Sequence, residues 1–467
     1  MASYDLLLER VGSQKHLLRF WNELSECEKE LLAQQINSID FRSFREIYEN
    51  SANLHTVCPD NLTPVLDSHH IVFKDLCEKE KQCYWMKGLS AISRGEVAVI
   101  LLAGGQSSRL GSSAPKGTIP LGLNVAPCDS LLGIQASKIA LLEKLATMEF
   151  PQNKETTKIQ WLVMTSQSTD QATRRHLEEV VPAAGLTFEQ ITIFSQAEIP
   201  AFDNEGNMLL SNKHTIVTAP NGNGGLYSAL ATYLPIMKSR GVKYFHVYCV
   251  DNILCKVADP HFIGFFIEKQ ADVATKTVLK KPGELVGSVC MDNGRPRVTE
   301  YSELGSELAE QKASDGRLVF RAGSIANHLF SLDFLESFCD DHFDLPYHRA
   351  LKKINYVSSN GALVKPTSPN GIKLEQFVFD VFERSRNFYI WEVVREDEFS
   401  PLKNDDSVGK ECLSSCKRDL ALLNKKWLTA AGAKVEVEPI YLNTFLSYCG
   451  EGLDRFKGQT ISGPLLN

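Results

Sequence analysis

Several things are missing from this chain, and each absence excludes a class of protein. No stretch of its 467 residues approaches the roughly 20 consecutive apolar positions of a membrane-spanning helix, so no membrane partner is expected. The opening residues, MASYDLLLERVGSQKHLLRFWNEL, lack the apolar centre of a secretory leader, and a cytoplasmic location is the expectation. Positive charge is not in excess: 50 Lys and Arg stand against 57 Asp and Glu, a net charge of −7. That argues against a nucleic-acid partner, and any anion site has to be local. The twelve cysteines are scattered without a disulfide framework, which fits reduced thiols. Cys412 and Cys416 have no second pair of thiols or histidines at zinc spacing and read as ordinary cysteines. Repeats and low-complexity segments are absent. So are GxGxxG and the GxxxxGK loop, the two common phosphate cradles.

What is present is an alternation of patterns. Residues 1–92 carry apolar side chains at helical spacing, among them Leu17, Leu18, Trp21, Leu24, Leu31 and Leu32, and predict an N-terminal helical region. The texture changes at Gly95. Segments 97–102, 159–165, 191–196 and 244–250 read as buried strands, and helices are expected between them at 130–148, 171–180 and 225–239. Such alternation predicts βαβ units and an α/β fold with a doubly wound, largely parallel sheet. Strand-like segments at 273–278, 286–291, 297–301 and 318–321 should extend it into a mixed sheet and wall one side of a site. A domain at 93–380 and a small α+β region at 381–467 follow, the latter holding a strand at 388–394.

The stretch LLAGGQSSRLGSSAPKG, 101–117, carries the strongest chemical signal. A parallel strand ending in Ala-Gly-Gly brings bare backbone to the carboxyl edge of the sheet, where open α/β folds bind ligands. Glycines there allow positive φ and close approach of N–H groups to a phosphate or base. Arg109 and Lys116 place two cations beside those amides, which suits a polyanion such as a nucleoside triphosphate.

These residues carry a resemblance. LAGGQSSRLG followed by PKG is similar to the signature of sugar-nucleotide pyrophosphorylases, which join a nucleoside triphosphate to a sugar 1-phosphate. In order, APNGNGGLY (219–227), HVYCVDN (246–252), EYSE (300–303), AGSIANH (322–328), PNGIKLEQFVFD (369–380) and REDEFSPLKN (395–404) resemble the eukaryotic-type UDP-N-acetylhexosamine pyrophosphorylases. The resemblance implies a Rossmann-like sheet of nucleotidyltransferase type. It implies that UTP and N-acetylglucosamine 1-phosphate give UDP-N-acetylglucosamine and pyrophosphate, with Mg²⁺ (or Mn²⁺) as cofactor, in a monomer or homodimer.

The attacking group of that reaction is a phosphate monoester whose second pKa lies near about 6, so it is already anionic and needs no general base. Catalysis would rest on positioning and on neutralising charge. By resemblance, Arg109 faces the β- and γ-phosphates and Lys116 the α-phosphate. Leu102, Ala103, Gly104, Gly105, Gln196, Gly222 and Lys373 would hold the nucleotide, and Asp251 the nucleotide or its metal. Asn223, Glu300, Tyr301, Gly323, Ser324, Asn327 and Lys403 would take the sugar, with Lys403 able to draw the terminal region over the phosphates. His246, inside its strand, reads as a core residue.

Three departures from the family pattern stand out. Ser107 and Ser108 replace a Gly-Thr pair, Asn221 replaces an aspartate, and Ser324 replaces an asparagine that lies by the N-acetyl group. The segment 401–446 is also short for the family. Two other readings therefore stand beside the first. One is a catalytically weak UDP-sugar-binding protein. The other is a pyrophosphorylase with broader choice, toward N-acetylgalactosamine 1-phosphate or glucose 1-phosphate. A glycosyltransferase would need an Asp-x-Asp metal motif, which the chain lacks.

Overall fold

The computed structural model describes residues 3–52, 58–339 and 345–463. The chain forms two compact units, each built from non-consecutive segments. The larger comprises Val57–Ser195, Ser228–Phe343 and Val381–Asn467; the smaller comprises Met1–Thr56, Gln196–Tyr227 and Asp344–Asp380. This differs from the expected succession 1–92, 93–380, 381–467. The first helices pack with chain from the middle, and the last region completes the larger unit.

The larger unit is organised by an eleven-stranded mixed sheet. In chain order its strands are β1 (Leu62–Thr63), β2 (His70–Val72), β3 (Val97–Leu102), β4 (Gln160–Thr165), β5 (Ile191–Ser195), β6 (Tyr244–Cys249), β7 (Val273–Leu279), β8 (Ser288–Asp292), β9 (Arg295–Thr299), β10 (Ala322–Ser331) and β11 (Phe388–Val393). The main path runs β2-β11-β7-β10-β6-β3-β4-β5, and β8 joins β1 and β9 to β10. Strands β6, β3, β4 and β5 are parallel to one another. Strand β10 runs antiparallel to both its neighbours, β6 and β7, and the parallel sense returns through β11 and β2.

Every residue of β3 and β4 is buried, as expected of strands covered on both faces. The covering helices come very close. Helices Glu78–Ser93 and Pro260–Lys269 cross at glycines, where a Cβ on Gly88 would stand 2.0 Å from the Pro260 carbonyl oxygen and one on Gly264 1.9 Å from that of Tyr84. Helix Leu131–Glu149 begins where expected, because the Ser130 hydroxyl accepts the Gly133 N–H at 3.0 Å.

Three expectations are corrected. Segment 318–321 is not a strand: Leu318 makes only an isolated bridge to Lys312, and the strand is the ten-residue β10 that follows. Segment 225–239 is two short helices, Leu226–Ala231 and Leu234–Ser239, because Pro235 lacks the N–H that would continue the first. Segment 388–394 belongs to the main sheet as β11, between β2 and β7.

The smaller unit packs three helices, Tyr4–Val11, Glu26–Ser38 and Phe41–Asn50, about one core that includes Leu32, Ile36, Phe202, Ile216 and Leu374. Its three-stranded sheet has Gly371–Glu375 between His348–Lys352 and Phe202–Asp203. All twelve cysteines are free thiols. No helix among the described residues is long and apolar enough to cross a membrane.

Candidate active site

In the larger unit, β3 delivers the chain to the carboxyl edge of the sheet. Ala103 adds one further rung by donating its N–H to the Met164 carbonyl at 2.8 Å. The Ser166 hydroxyl then donates to the Gly104 carbonyl at 2.9 Å. Neither Gly104 nor Gly105 has positive φ, so the conformational freedom that glycine allows there is not used. A Cβ on Gly105 would meet nothing within 4 Å. The glycine leaves room in front of the strand that no protein atom fills.

The loop closes on itself as Gln106 bridges Pro115 and the Ser107 N–H donates to the Ala114 carbonyl. Ser107, one of the departures from the family pattern, is fully buried with its hydroxyl unpartnered. Arg109 is exposed at the loop's tip, and its guanidinium makes no ion pair among the described residues. Lys116 opens a short 3₁₀ turn, Lys116–Thr118. Gly117 anchors that turn, since a Cβ there would stand 2.8 Å from the Leu132 side chain and 3.0 Å from that of Val250. The Lys116 ammonium thereby reaches Asp251 Oδ2 at 3.3 Å. Sequence reasoning placed the two on separate elements; the fold makes them an ion pair.

Lys403 arrives at the same edge. The Leu402 N–H donates to the Asp251 carbonyl at 2.8 Å, and Asn252 bridges Pro401. The Lys403 ammonium lies 3.6 Å from Glu411 and stays partly exposed. The thiol of Cys249, which ends β6, senses the cluster. Burial pushes its pKa up and Asp251 adds to that, while Lys116 and Lys403 pull it down. Lys403, expected among the sugar residues, thus lies near the same thiol as Lys116 and Asp251.

A second cluster forms around β8 and β10. The Ser324 N–H donates to the Gly287 carbonyl at 2.8 Å, and a Cβ on Gly287 would stand 3.2 Å from Glu300 Oε1. Gly323 is tight as well, with a virtual Cβ 3.1 Å from the Val278 carbonyl oxygen. Glu300 does not lie in the strand expected at 297–301, which ends at Thr299. It caps helix Tyr301–Glu310 by a capping box with Glu303. Sequence reasoning missed Lys280. It is 3% exposed, donates to Ser288 Oγ at 3.2 Å, and stands 5.5 Å from the centre of the Tyr301 ring. Burial lowers its pKa, against the pull of Glu310, Glu284 and Glu300. Nothing in KKPGE set it apart from a solvated turn.

Asn327 does not join this cluster. The Ala258 N–H donates to His246 Nδ1 at 2.9 Å, which leaves the ring proton on Nε2, donated to Asn327 Oδ1 at 2.7 Å. Asn327 Nδ2 turns to Cys255 Sγ at 3.5 Å. The asparagine is 3% exposed, with both ends of its amide engaged in the core. His246 is itself fully buried, as read from the sequence, and burial brings its pKa down to about 4.

In the smaller unit the turn at 221–225 is clamped to residues 375–378. The Gly224 N–H donates to the Gln376 carbonyl and the Gln376 N–H to the Asn221 carbonyl, both at 2.8 Å. Asn223 Oδ1 accepts the Val378 N–H at 2.9 Å, so that side chain is partly committed to the turn. Gly222 has φ +88°, and a Cβ there would stand 2.4 Å from the Gln376 carbonyl oxygen. Gln196 Oε1 and Asn221 Oδ1 are buried acceptors without a donor among the described residues. An acceptor so placed costs about 1–3 kcal/mol unless something outside the protein donates to it. Lys373 is half-buried in Gly371–Glu375, across from Ala350.

The model of one protein family, described as UTP–glucose-1-phosphate uridylyltransferase, matches residues 40–456. The chain belongs to this uridylyltransferase family. Over 99% of its length the chain is 56% identical to a Caenorhabditis elegans protein named "Probable UDP-N-acetylglucosamine pyrophosphorylase", of which it covers 96%. It is 40% identical to the UDP-N-acetylglucosamine pyrophosphorylase of Saccharomyces cerevisiae, covering 96% of each chain. A Trypanosoma brucei UDP-N-acetylglucosamine pyrophosphorylase, crystallised with an inhibitor, superposes with TM-score 0.82 at 29% identity, over 97% of this chain and 95% of that one. For this uridylyltransferase, then, the mixed α/β sheet expected from the strand pattern is also the architecture of its structural relatives.

Proposed function

We propose that the protein transfers a uridylyl group from UTP to N-acetylglucosamine 1-phosphate, releasing pyrophosphate. A phosphate oxygen of the sugar attacks the α-phosphorus, a P–O bond forms, and the bond between the α-phosphorus and the bridging oxygen breaks. The observation that carries this reading is the cationic edge of the larger unit: Lys116 paired with Asp251, Lys403 next to Leu402, whose N–H donates to the Asp251 carbonyl, and Arg109 on the loop that begins at Gly104 and Gly105. The names of the relatives at 56% and 40% identity support the choice of substrates.

In this reading Lys116 takes up charge developing on the α-phosphate, and Arg109, with no competing carboxylate, binds the β- and γ-phosphates. Residues 102–105 admit the nucleotide to the strand edge. Gln196, Gly222 and Lys373 serve the nucleotide in the smaller unit, where the orphaned Gln196 acceptor suits the N–H of a pyrimidine. Gly323, Ser324, Glu300 and Tyr301 take the hexose, with the carboxylate accepting hydroxyl protons.

Among the described residues no three His, Cys, Asp or Glu side chains gather as a metal-ion site. One carboxylate with triphosphate oxygens is nevertheless a common Mg²⁺ environment, and Asp251 fits it. Bound there, Mg²⁺ would neutralise triphosphate charge. We take the protein to work in the cytosol.

The test is pyrophosphate release from UTP with Mg²⁺ and, separately, the 1-phosphates of N-acetylglucosamine, N-acetylgalactosamine and glucose. Turnover is expected with the N-acetyl sugars. Equal turnover with glucose 1-phosphate would mean that Ser324 has widened the choice. Binding of UDP-sugar with no turnover of any of the three would replace the enzyme by a binding protein.

A further inference from the structure

Behind the cationic edge the larger unit buries a group of charges that the reaction does not use directly. Lys276, in the middle of β7, is wholly buried, with its ammonium 2.6 Å from Asp259 Oδ2 and 2.5 Å from Glu398 Oε2. The other oxygen of Glu398 takes Lys256 at 3.0 Å. Asp259 also caps helix Pro260–Lys269 through the His261 N–H. Lys138 shares this interior and donates to the Cys255 carbonyl at 2.8 Å. Removing such charges from water is costly, and apolar side chains of similar size often pack as well. A charged cluster adds geometry instead: only one position of Glu398 lets both oxygens meet an ammonium.

Glu398 stands where the C-terminal segment meets the sheet edge. Its own carbonyl accepts from Asn252 Nδ2 at 2.7 Å, and Asn252 Oδ1 accepts the Ser400 N–H at 2.9 Å. The Ile253 N–H donates to the Ser400 carbonyl at 3.2 Å, and the Leu402 N–H to that of Asp251 at 2.8 Å. Residues 398–403 therefore form a strap laid along 251–253, pinned at one end by Glu398 and carrying Lys403 at the other.

We propose that Glu398 is a positioning residue: held by Lys256 and Lys276, it sets the register of the strap on Asp251 and thereby where the Lys403 ammonium stands. The proposal rests on the transferase reading above. A slip of one residue would break the Asn252 bracket and carry Lys403 away from Asp251 and Lys116.

The test is a double-mutant cycle on the full chain, with Glu398→Gln, Lys403→Ala and both together. Each variant is assayed for kcat and for KM of UTP. Glu398→Gln keeps the shape and one acceptor and removes the charge. It is expected to lower kcat about ten- to a hundredfold with little change in KM for UTP, as a displaced ammonium would. In the Lys403→Ala background it should lower kcat no further, because the group it positions is gone. Amide hydrogen exchange at Ser400 and Leu402 should accelerate in Glu398→Gln while β3 and β6 stay protected. If Glu398→Gln fails to fold, Lys256→Met takes its place, since Lys276 still holds the carboxylate. Multiplying effects in the double variant would overturn the proposal, as would an inert Lys403→Ala or unchanged exchange in the strap. Absence of turnover by the wild-type protein would instead refute the transferase reading, and the exchange data would still report on the strap.

Discussion

Two glycine-rich stretches carry the resemblance to the pyrophosphorylases, and their glycines are there for opposite reasons. In the smaller unit, a Cβ on Gly222, Gly224 or Gly225 would run into the protein itself, at 2.4, 2.7 and 2.0 Å from the nearest atom. In the larger unit, a Cβ on Gly105 would meet nothing. The first stretch is glycine because the fold requires it; at Gly105 packing makes no such demand. Charge divides the same way. The loop at 104–117 carries Arg109 and Lys116, whereas the turn at 221–225 has no charged residue and leaves an amide oxygen, that of Asn221, unpartnered. One region carries positive charge, the other presents only neutral hydrogen-bonding groups.

The largest expected effect lies on the charged side. Lys116→Ala should lower kcat for pyrophosphate release by about 10²–10³, near 3–4 kcal/mol, by analogy with a lost oxyanion donor. Lys116→Arg should recover part of it, and retention of most activity in the alanine variant would show the charge to be dispensable. The glycines come next. Gly222→Ala should destabilise by roughly 2–3 kcal/mol in urea unfolding, from positive φ and collision together. Gly105→Ala should stay within about 0.5 kcal/mol of wild type while raising KM for UTP. If the two alanines behave alike, the contrast drawn above is wrong.

Acid offers another way to separate the regions. His246 and His328 are fully buried in the larger unit, and burial brings their pKa values down from 6.5 to about 4 and about 3. Below pH 6.5 the unfolded chain takes up protons that the folded chain refuses. Their stabilising contribution is therefore complete above pH 6.5 and is lost as the pH falls toward those values. Each should cost roughly 2 kcal/mol by about pH 5. Hydrogen exchange should show β6 and β10 loosening first, and the slope of stability with pH should shrink by one proton in His328→Leu. The smallest effect belongs to the neutral side. Gln196→Ala should raise KM for UTP about tenfold with kcat nearly unchanged. Its effect should not vary with salt, whereas that of Lys116→Ala should.

How much of this could be read from the sequence follows from the range of the interactions. Strand β3 and the Ser130 cap were legible because their signals are local: a continuous β-branched run and a serine three residues before a glycine N–H. The Lys116–Asp251 pair was legible only as two separate edge residues, since they stand 135 positions apart. Asn327 was misplaced because its partners, His246 and Cys255, are far away in sequence and no periodicity announces them. Glu300 looked like part of an acidic strand, since a capping box and a strand edge share the residues Glu-Tyr-Ser-Glu. Lys280 and the Glu398 cluster were invisible for a general reason: a charged residue in sequence reads as solvated until the fold surrounds it.

The smaller unit also has a history in time. Its core joins Leu32 and Ile36 from the first helices to Phe202 and Ile216 from the middle and to Leu374 from beyond position 370. On the ribosome, at roughly 5–20 residues per second, the opening helices wait about 15 to 70 s for the strand Gly371–Glu375. Their core stays incomplete through that interval. A chain that ended before residue 371 would lack the strand that completes this first core.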